Sequence, residues 1–419
     1  MPKLKEVLVY ALAAILCLPT ALLAHAKLIR SDPAEGARLH VPPRQASLVF
    51  SEAPELVFSR LRLVFPSSDT VDIGALRHDR DDDHTLVGDL PASMPAGLYR
   101  LVWVTAGRDG HPSRGVISFR VLPPATTDTV INDSLPPIGS TRRPPPVDAS
   151  TMVMAPLDLG SAIARWLSFI SIFIVIGVVT FWYGVVRRMS IAGSGLFEEI
   201  AASNAATLGA FASLVSIAAT AIKAARGMAD MPGMPVSSML FGSMWGGALL
   251  LQLAGGVVAA GAFVLAHRYD ETRKRSWLIA AVGAVMLAVS ESAGGHAVTT
   301  ANPILSVSAD LVHVIAGSMW LGTLAVIVLV GLSASLKTPD TVRPGARVAE
   351  MINTFSPIAL ICGGVVVASG VANSLFHFSS VSALWTSTYG VTLLLKLFFV
   401  MMLFVAGAWN WRRMRPRLT

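Results

Sequence analysis

Leu98-Tyr99-Arg100-Leu101-Val102-Trp103-Val104, then Asp109-Gly110-His111-Pro112, then Val116-Ile117-Ser118-Phe119-Arg120-Val121 is the stretch that decides the fold of the first part of the chain. Successive side chains of an extended run point to opposite faces, so Tyr99, Leu101 and Trp103 share one face and face one core. Asp109-Gly110 is a turn former between two predicted strands, which puts Asp109 and His111 together on a turn. Leu48-Val49-Phe50 and Leu61-Arg62-Leu63-Val64-Phe65 read as further strands. Pro42-Pro43, Pro66-Ser67-Ser68-Asp69 and Pro95-Ala96-Gly97 separate the runs. Several short strands with no helical stretch between residues 27 and 122 predict a small all-β sandwich over residues 25–122.

Two segments of different character flank it. Lys3 and Lys5 precede an apolar run from Val7 to Leu23, the pattern of a secretory signal peptide over residues 1–24. Ala24-His25-Ala26 is itself a small-x-small cleavage sequence and would be cut after Ala26, whereas a cut after Ala24 has Leu22 at the third position back. The residues alone leave both cuts open. On the other side, residues 123–157 hold Pro123-Pro124, Pro136-Pro137 and Pro144-Pro145-Pro146 among Thr and Ser, and read as an extended tether.

The 419 residues are 53% hydrophobic and 14% charged, too apolar for a soluble globular protein. From residue 158 to 419 seven apolar spans follow, at 159–186, 200–223, 239–266, 277–292, 304–332, 353–376 and 389–410. Each is long enough, or nearly so, to cross about 30 Å of hydrocarbon as helix, so an all-α polytopic membrane bundle is expected. The span 277–292 is the shortest, which leaves the count open by one. With the β-domain outside, the inward segments are Arg187-Arg188, His267 to Arg275, Lys337 to Arg347 and Arg412 to Arg417, all basic. The outward loops near 224–238, 293–303 and 377–388 hold only Arg226 and no Lys. That asymmetry predicts seven spans with the C-terminus in the cytoplasm, and it explains the net charge of +7 without a nucleic-acid partner. Cys17 and Cys362 exclude a disulfide framework and a thiolate metal site. No phosphate-binding glycine loop with a following Lys-Ser/Thr is present, so nothing points to ATP hydrolysis.

Any metal must then be held by His, Met, carboxylate or amine. In the soluble part the candidates are His25, His40, His78, His84, Asp109 and His111. The two-residue spacing of Asp109 and His111 lets both converge on one point. If His25 heads the mature chain, it adds an α-amine and an imidazole from a single residue. Cu(II) favours such a tetragonal nitrogen and oxygen set. The run His78-Asp79-Arg80-Asp81-Asp82-Asp83-His84 reads as a solvated acidic loop.

His25-Ala26-Lys27-Leu28, Ser31-Asp32-Pro33-Ala34-Glu35-Gly36, Leu48-Val49-Phe50-Ser51-Glu52, Tyr99-Arg100-Leu101-Val102-Trp103 and Asp109-Gly110-His111-Pro112-Ser113-Arg114-Gly115 resemble the CopC family of periplasmic copper-binding proteins. The match runs in the family's order over nearly all of residues 25–122. The resemblance implies an immunoglobulin-like sandwich whose mature chain starts at His25, hence a cut after Ala24. It implies Cu(II) bound by His25, Asp109 and His111, with Glu52 in the second layer around the metal. Some members carry a Met-rich loop for Cu(I). Here, once the leader is removed, only Met94 precedes the tether, so no Cu(I) site is expected in the β-domain.

The second part resembles CopD, that family's inner-membrane partner. Gly295-His296-Ala297, Asp310-Leu311-Val312-His313, Trp320-Leu321-Gly322, Phe355-Ser356, Gly370-Val371-Ala372-Asn373, Tyr389-Gly390 and Leu395-Lys396-Leu397 carry it. This family is described with eight spans. Ionisable residues inside apolar spans are costly and mark pathways. Asp310 and His313 share a helical face, and Glu291 and His296 end the neighbouring span, so the four are expected to cluster in the outer half as a copper path. Met228, Met231 and Met234 fall on an outward loop, and their thioethers suit Cu(I). Lys223 and Lys396 are read as snorkelling or as pairing with a carboxylate.

The expectation is a copper-homeostasis protein of the bacterial inner membrane, not an enzyme, with its N-terminal domain in the periplasm. It would bind copper outside and move it inward. Its partners would be copper ions, the lipid bilayer and a periplasmic chaperone or reductant. The alternative reading is a membrane b-type cytochrome or metal reductase, with His296, His313 or His377 as haem ligands. A copper oxygenase ranks lower, because Asp109 would fill the position that oxygen needs.

Overall fold

The computed structural model describes residues 26–123, 159–189, 195–231, 233–300, 302–338, 344–375, 382–386, 388–409 and 412. The expected signal segment, His25, His377 and nearly all of the expected tether lie outside the described residues.

Nine strands build the first domain: β1 (Leu28–Asp32), β2 (Arg38–Leu39), β3 (Gln45–Phe50), β4 (Arg60–Val64), β5 (Thr70–Ile73), β6 (Arg77–His78), β7 (Thr85–Asp89), β8 (Gly97–Ala106) and β9 (Pro112–Val121). They form a sandwich of a four-stranded sheet, β1-β3-β7-β6, and a five-stranded sheet, β2-β9-β8-β4-β5. The alternation in β8 is the reason it sits at the centre. Tyr99, Leu101 and Trp103 point into the core while Leu98 and Arg100 face out. They meet Leu48, Phe50, Leu61, Leu63, Leu86, Ile117 and Phe119 from both sheets. Trp103 sits edge-on to Phe50 at 5.3 Å, and Tyr99 stacks on Phe119 at 5.5 Å. Such ring pairs add to what apolar burial contributes. Gly115 lies opposite Trp103 in the β8–β9 ladder, and a Cβ there would come within 2.6 Å of the indole. Met94 is a core residue of this sandwich.

The second domain is helical: α1 (Leu159–Thr180), α2 (Gly195–Asp230), α3 (Val236–Phe241), α4 (Met244–Arg268), α5 (Arg273–Ala293), α6 (Pro303–Lys337), α7 (Pro344–Leu375), α8 (Ala383–Thr386) and α9 (Thr388–Trp409). Six helices, all but α3, α8 and α9, are long and apolar enough to cross a membrane. The seventh expected span falls on α9, whose apolar stretch Leu393–Met402 is shorter. The chain is thus a multi-pass membrane protein. Small residues let the helices approach closely, as transmembrane packing requires. Gly177 of α1 and Gly322 of α6 touch backbone to backbone, so neither position has room for a Cβ. α6 passes through π-helical turns at Ser318–Gly322 and Ile327–Gly331, and α1 ends in one at Phe181–Val185. On the side that carries the basic loops, Trp277 is fully buried, stacked on Trp182 at 5.0 Å.

Candidate metal site and the face beneath it

The β8–β9 connection spans only Gly107 to His111. Gly107 bridges to Pro54, and the Gly110 N–H donates to the Gly107 carbonyl at 2.9 Å. Gly110 takes the left-handed conformation, φ +77°, that this tight turn demands and that glycine adopts without strain. Asp109 folds back so that one carboxylate oxygen accepts the His111 N–H at 3.1 Å. Its other oxygen lies 2.9 Å from His111 Nδ1. The aspartate side chain is fully buried and the imidazole is one-third exposed, 33%. A buried acid and a partly open imidazole therefore converge on one point, as the spacing predicted.

Glu52 is buried, and its carboxylate packs on Gly107, where a Cβ would lie 2.9 Å from it. The residue before it, Ser51, holds the residues that lead into β1: Lys27 N–H donates to Ser51 Oγ at 2.9 Å, and Ser51 N–H donates to the Lys27 carbonyl at 2.9 Å. Ala26 is wholly buried in the sandwich core. Among the described residues, no three His, Cys, Asp or Glu side chains gather as a metal set. The turn supplies two, and His25 lies outside them. The acidic run is a surface loop, in which Asp83 pairs with Arg108 at 2.9 Å and His78 Nε2 meets the Pro54 carbonyl at 2.7 Å.

Beneath the turn lies the helical domain. Trp245, second residue of α4, packs on Gly110, where a Cβ would lie 2.6 Å from the indole. Trp245 also meets Phe58 edge-on at 6.4 Å. Met244 N–H donates to Glu55 Oε1 at 3.0 Å, and Arg60 Nη2 donates to the Gly233 carbonyl at 2.6 Å. Burial in this contact pushes the Glu55 carboxyl up to about 7, against the Met244 bond and Arg108, which lower it. Sequence reading missed Glu55 and Trp245, because neither periodicity nor a motif marks a docking contact between distant segments.

Within the bundle, His313 and Glu291 have different partners. His313 Nδ1 lies 3.1 Å from Ser369 Oγ on α7, with Asp310 one turn earlier on its own helix. Glu291 instead accepts from Ser168 of α1 and Gln252 of α4, each at 3.2 Å, and pairs with Lys223 of α2 at 3.6 Å. Of the expected gathering of Glu291, His296, Asp310 and His313, Glu291 is held by partners on α1, α2 and α4, with Lys223 as countercharge, and among the described residues these groups form no metal-holding set of three. Lys223 takes the carboxylate partner that was one of its two expected roles. The His296 side chain is outside the description.

Comparison with known proteins follows the same division. A CopC domain model matches residues 28–122, and a model described as Copper resistance protein D matches residues 349–419. Copper transport protein CutJ of Bacillus subtilis is 26% identical over 397 residues, covering 93% of this chain and 68% of that protein. Copper resistance protein C of Pseudomonas syringae pv. tomato is 31% identical over 103 residues, 23% of this chain and 81% of that protein. The solved structure of PcoC from Escherichia coli aligns at 29% identity with a TM-score of 0.21, covering 23% of this chain and 99% of that one. The protein is thus of the copper-resistance class, an extramembrane β-sandwich ahead of a helical membrane domain. Within that class the chain belongs to the CopC–CopD family, with both parts in one polypeptide.

Proposed function

We propose that this protein captures Cu(II) outside the membrane at a site made by His25, Asp109 and His111, and passes copper inward through its own membrane domain. The relatives' names, a copper transport protein along most of the chain and a copper resistance protein along the sandwich, point to this cargo. The observation that carries the site is the anchor at Lys27. Its hydrogen bonds with Ser51 bring the residues just after His25 beside Glu52, whose carboxylate rests on the first residue of the Asp109–His111 turn. A cut after Ala24 leaves His25 as an N-terminal chelate of amine and imidazole, and it retains Ala26, which the sandwich buries. A cut after Ala26 removes both.

Three nitrogens and one carboxylate oxygen suit the tetragonal preference of Cu(II). The cation neutralises the buried Asp109, and Glu52, whose carboxylate packs on Gly107 where the turn begins, is the group this reading assigns to steer the ligands. The amine must lose its proton to bind, so affinity rises with pH toward a pKa of about 8. Inside the bundle, Asp310 and His313, with His296 at the outer helix end, are the groups this reading assigns to onward passage. The basic inward segments support an orientation with the sandwich in the periplasm and the C-terminus in the cytoplasm. A periplasmic copper chaperone or reductant is the partner this role calls for. Electron paramagnetic resonance of the Cu(II)-loaded protein tests it. A tetragonal nitrogen-rich signal that collapses in His111→Ala is expected, and an unchanged signal overturns the assignment.

A further inference from the structure

Four of the chain's 16 methionines fall between residues 228 and 239. Met231 and Met239 are buried, and Met228 and Met234 are partly buried, in one cluster with Phe58 and Ala106 of the sandwich and Trp245 of α4. The chain winds them together. Met231 N–H donates to the Met228 carbonyl at 3.3 Å and Met234 N–H to the Met231 carbonyl at 3.4 Å, while α3 returns Met239 to the same cluster. Ala106 adjoins Gly107, where the Asp109–His111 turn begins, and Trp245 touches both Gly110 of that turn and Gly227 beside Met228. A single indole therefore bridges the Cu(II) turn and the thioethers. Leu or Val would serve a purely apolar contact as well. Methionine adds a soft sulfur lone pair to each side chain, the donor that selects Cu(I) over the harder ions. At the edge of the cluster Glu55 Oε2 is buried with no hydrogen-bond partner among the described residues, a carboxyl oxygen added to this contact.

We propose that Met228, Met231, Met234 and Met239 form a thioether site for Cu(I), roofed by Phe58 and Ala106 of the docked sandwich. This rests on the reading that copper moves from the sandwich to the membrane domain, and it names the first station on the membrane side. Copper reaches the site after an external periplasmic one-electron reductant, the partner class named above, has converted Cu(II) to Cu(I), so no electron transfer is assigned to the methionines. Docking makes the site: without the sandwich its outer wall is missing.

The test uses the full-length protein in detergent without oxygen, with Ag(I) as a redox-inert stand-in and Cu(I) for X-ray absorption. One tightly bound Ag(I) and sulfur neighbours around Cu(I) are expected. Leucine conserves methionine's volume, so the variant M228L/M231L/M234L/M239L loses that equivalent while the Cu(II) resonance signal of the sandwich stays, which also reports the fold. The pairs M228L/M234L and M231L/M239L repeat the test with less disturbance, each weakening Ag(I) by about tenfold or more. Retention of Ag(I) in the leucine variants, or Cu(I) with only nitrogen and oxygen neighbours, overturns the proposal. The two readings fail separately. Loss of the Cu(II) signal with Ag(I) retained removes the His25 site alone, and absence of Ag(I) with Cu(II) intact removes the methionine site alone.

Discussion

His111 Nδ1 stands 2.9 Å from Asp109 Oδ2 on a turn that buries the acid completely and leaves the imidazole one-third exposed. In a hydrogen-bonded turn this short, both groups are held in place before any metal arrives, and the metal has little ordering left to do. Replacing Asp109 with Asn keeps the turn, since the amide oxygen still accepts the His111 N–H, but removes the charge. Cu(II) affinity is expected to fall about 100-fold or more in D109N, and about 10- to 100-fold in E52Q, whose carboxylate acts from behind. Competition against a Cu(II) chelator measures both. Equal affinities in wild type and D109N would contradict the site.

Docking of the sandwich depends on pH through Glu55. Its carboxyl is raised from 4.5 to about 7 by burial, against the opposing Met244 hydrogen bond. The docked state therefore holds a proton that the undocked, solvated state releases. Docking is fully stabilised below about pH 4.5 and loses that contribution as pH rises through about 7. Hydrogen exchange of residues 231–245 should slow as pH falls through this window, once corrected for intrinsic rates, and E55Q should flatten the dependence. A wild type as flat as E55Q would count against this contact.

The sandwich was legible because β8 alternates without a break and its neighbours Leu61-Arg62-Leu63 and Ile117-Ser118-Phe119 do the same. The strands β1, β2, β5 and β6 were not, being two to five residues long and largely exposed. β7 also escaped notice: it adjoins the acidic run, and four of its five residues are buried, so it lacks alternation. The membrane spans follow from apolar length alone. Partners across the bundle do not. Glu291 and Lys223 lie 68 positions apart, and nothing local in either helix says that α2 brings its lysine to α5. The Asp109–His111 turn could be read from spacing, whereas Trp245 beneath it could not.

The Lys223–Glu291 pair predicts an asymmetric pair of outcomes. Removing one member, as in E291A, strands a charge among four helices and costs about 3–5 kcal/mol. Replacing both with apolar residues of similar size, K223M/E291L, restores most of it. Thermal unfolding in detergent checks this, and a double variant as unstable as the single one would contradict a simple ion pair.

Trp103 anchors the sandwich from its 6% exposed position against Phe50. Trp103→Ala is expected to cost about 3–5 kcal/mol, a large share of a domain's ordinary stability of about 5–15 kcal/mol. Urea unfolding followed through loss of Cu(II) binding measures it, and a change below about 1 kcal/mol would contradict the packing described.

The central claim turns on one peptide bond, between Ala24 and His25. Mass analysis of the N-terminal peptide of the mature, membrane-inserted protein tests it most directly. His25 as the first residue is the predicted result, with its free amine beside the Lys27–Ser51 anchor. Lys27 as the first residue would remove the principal ligand together with buried Ala26, and would contradict the copper site.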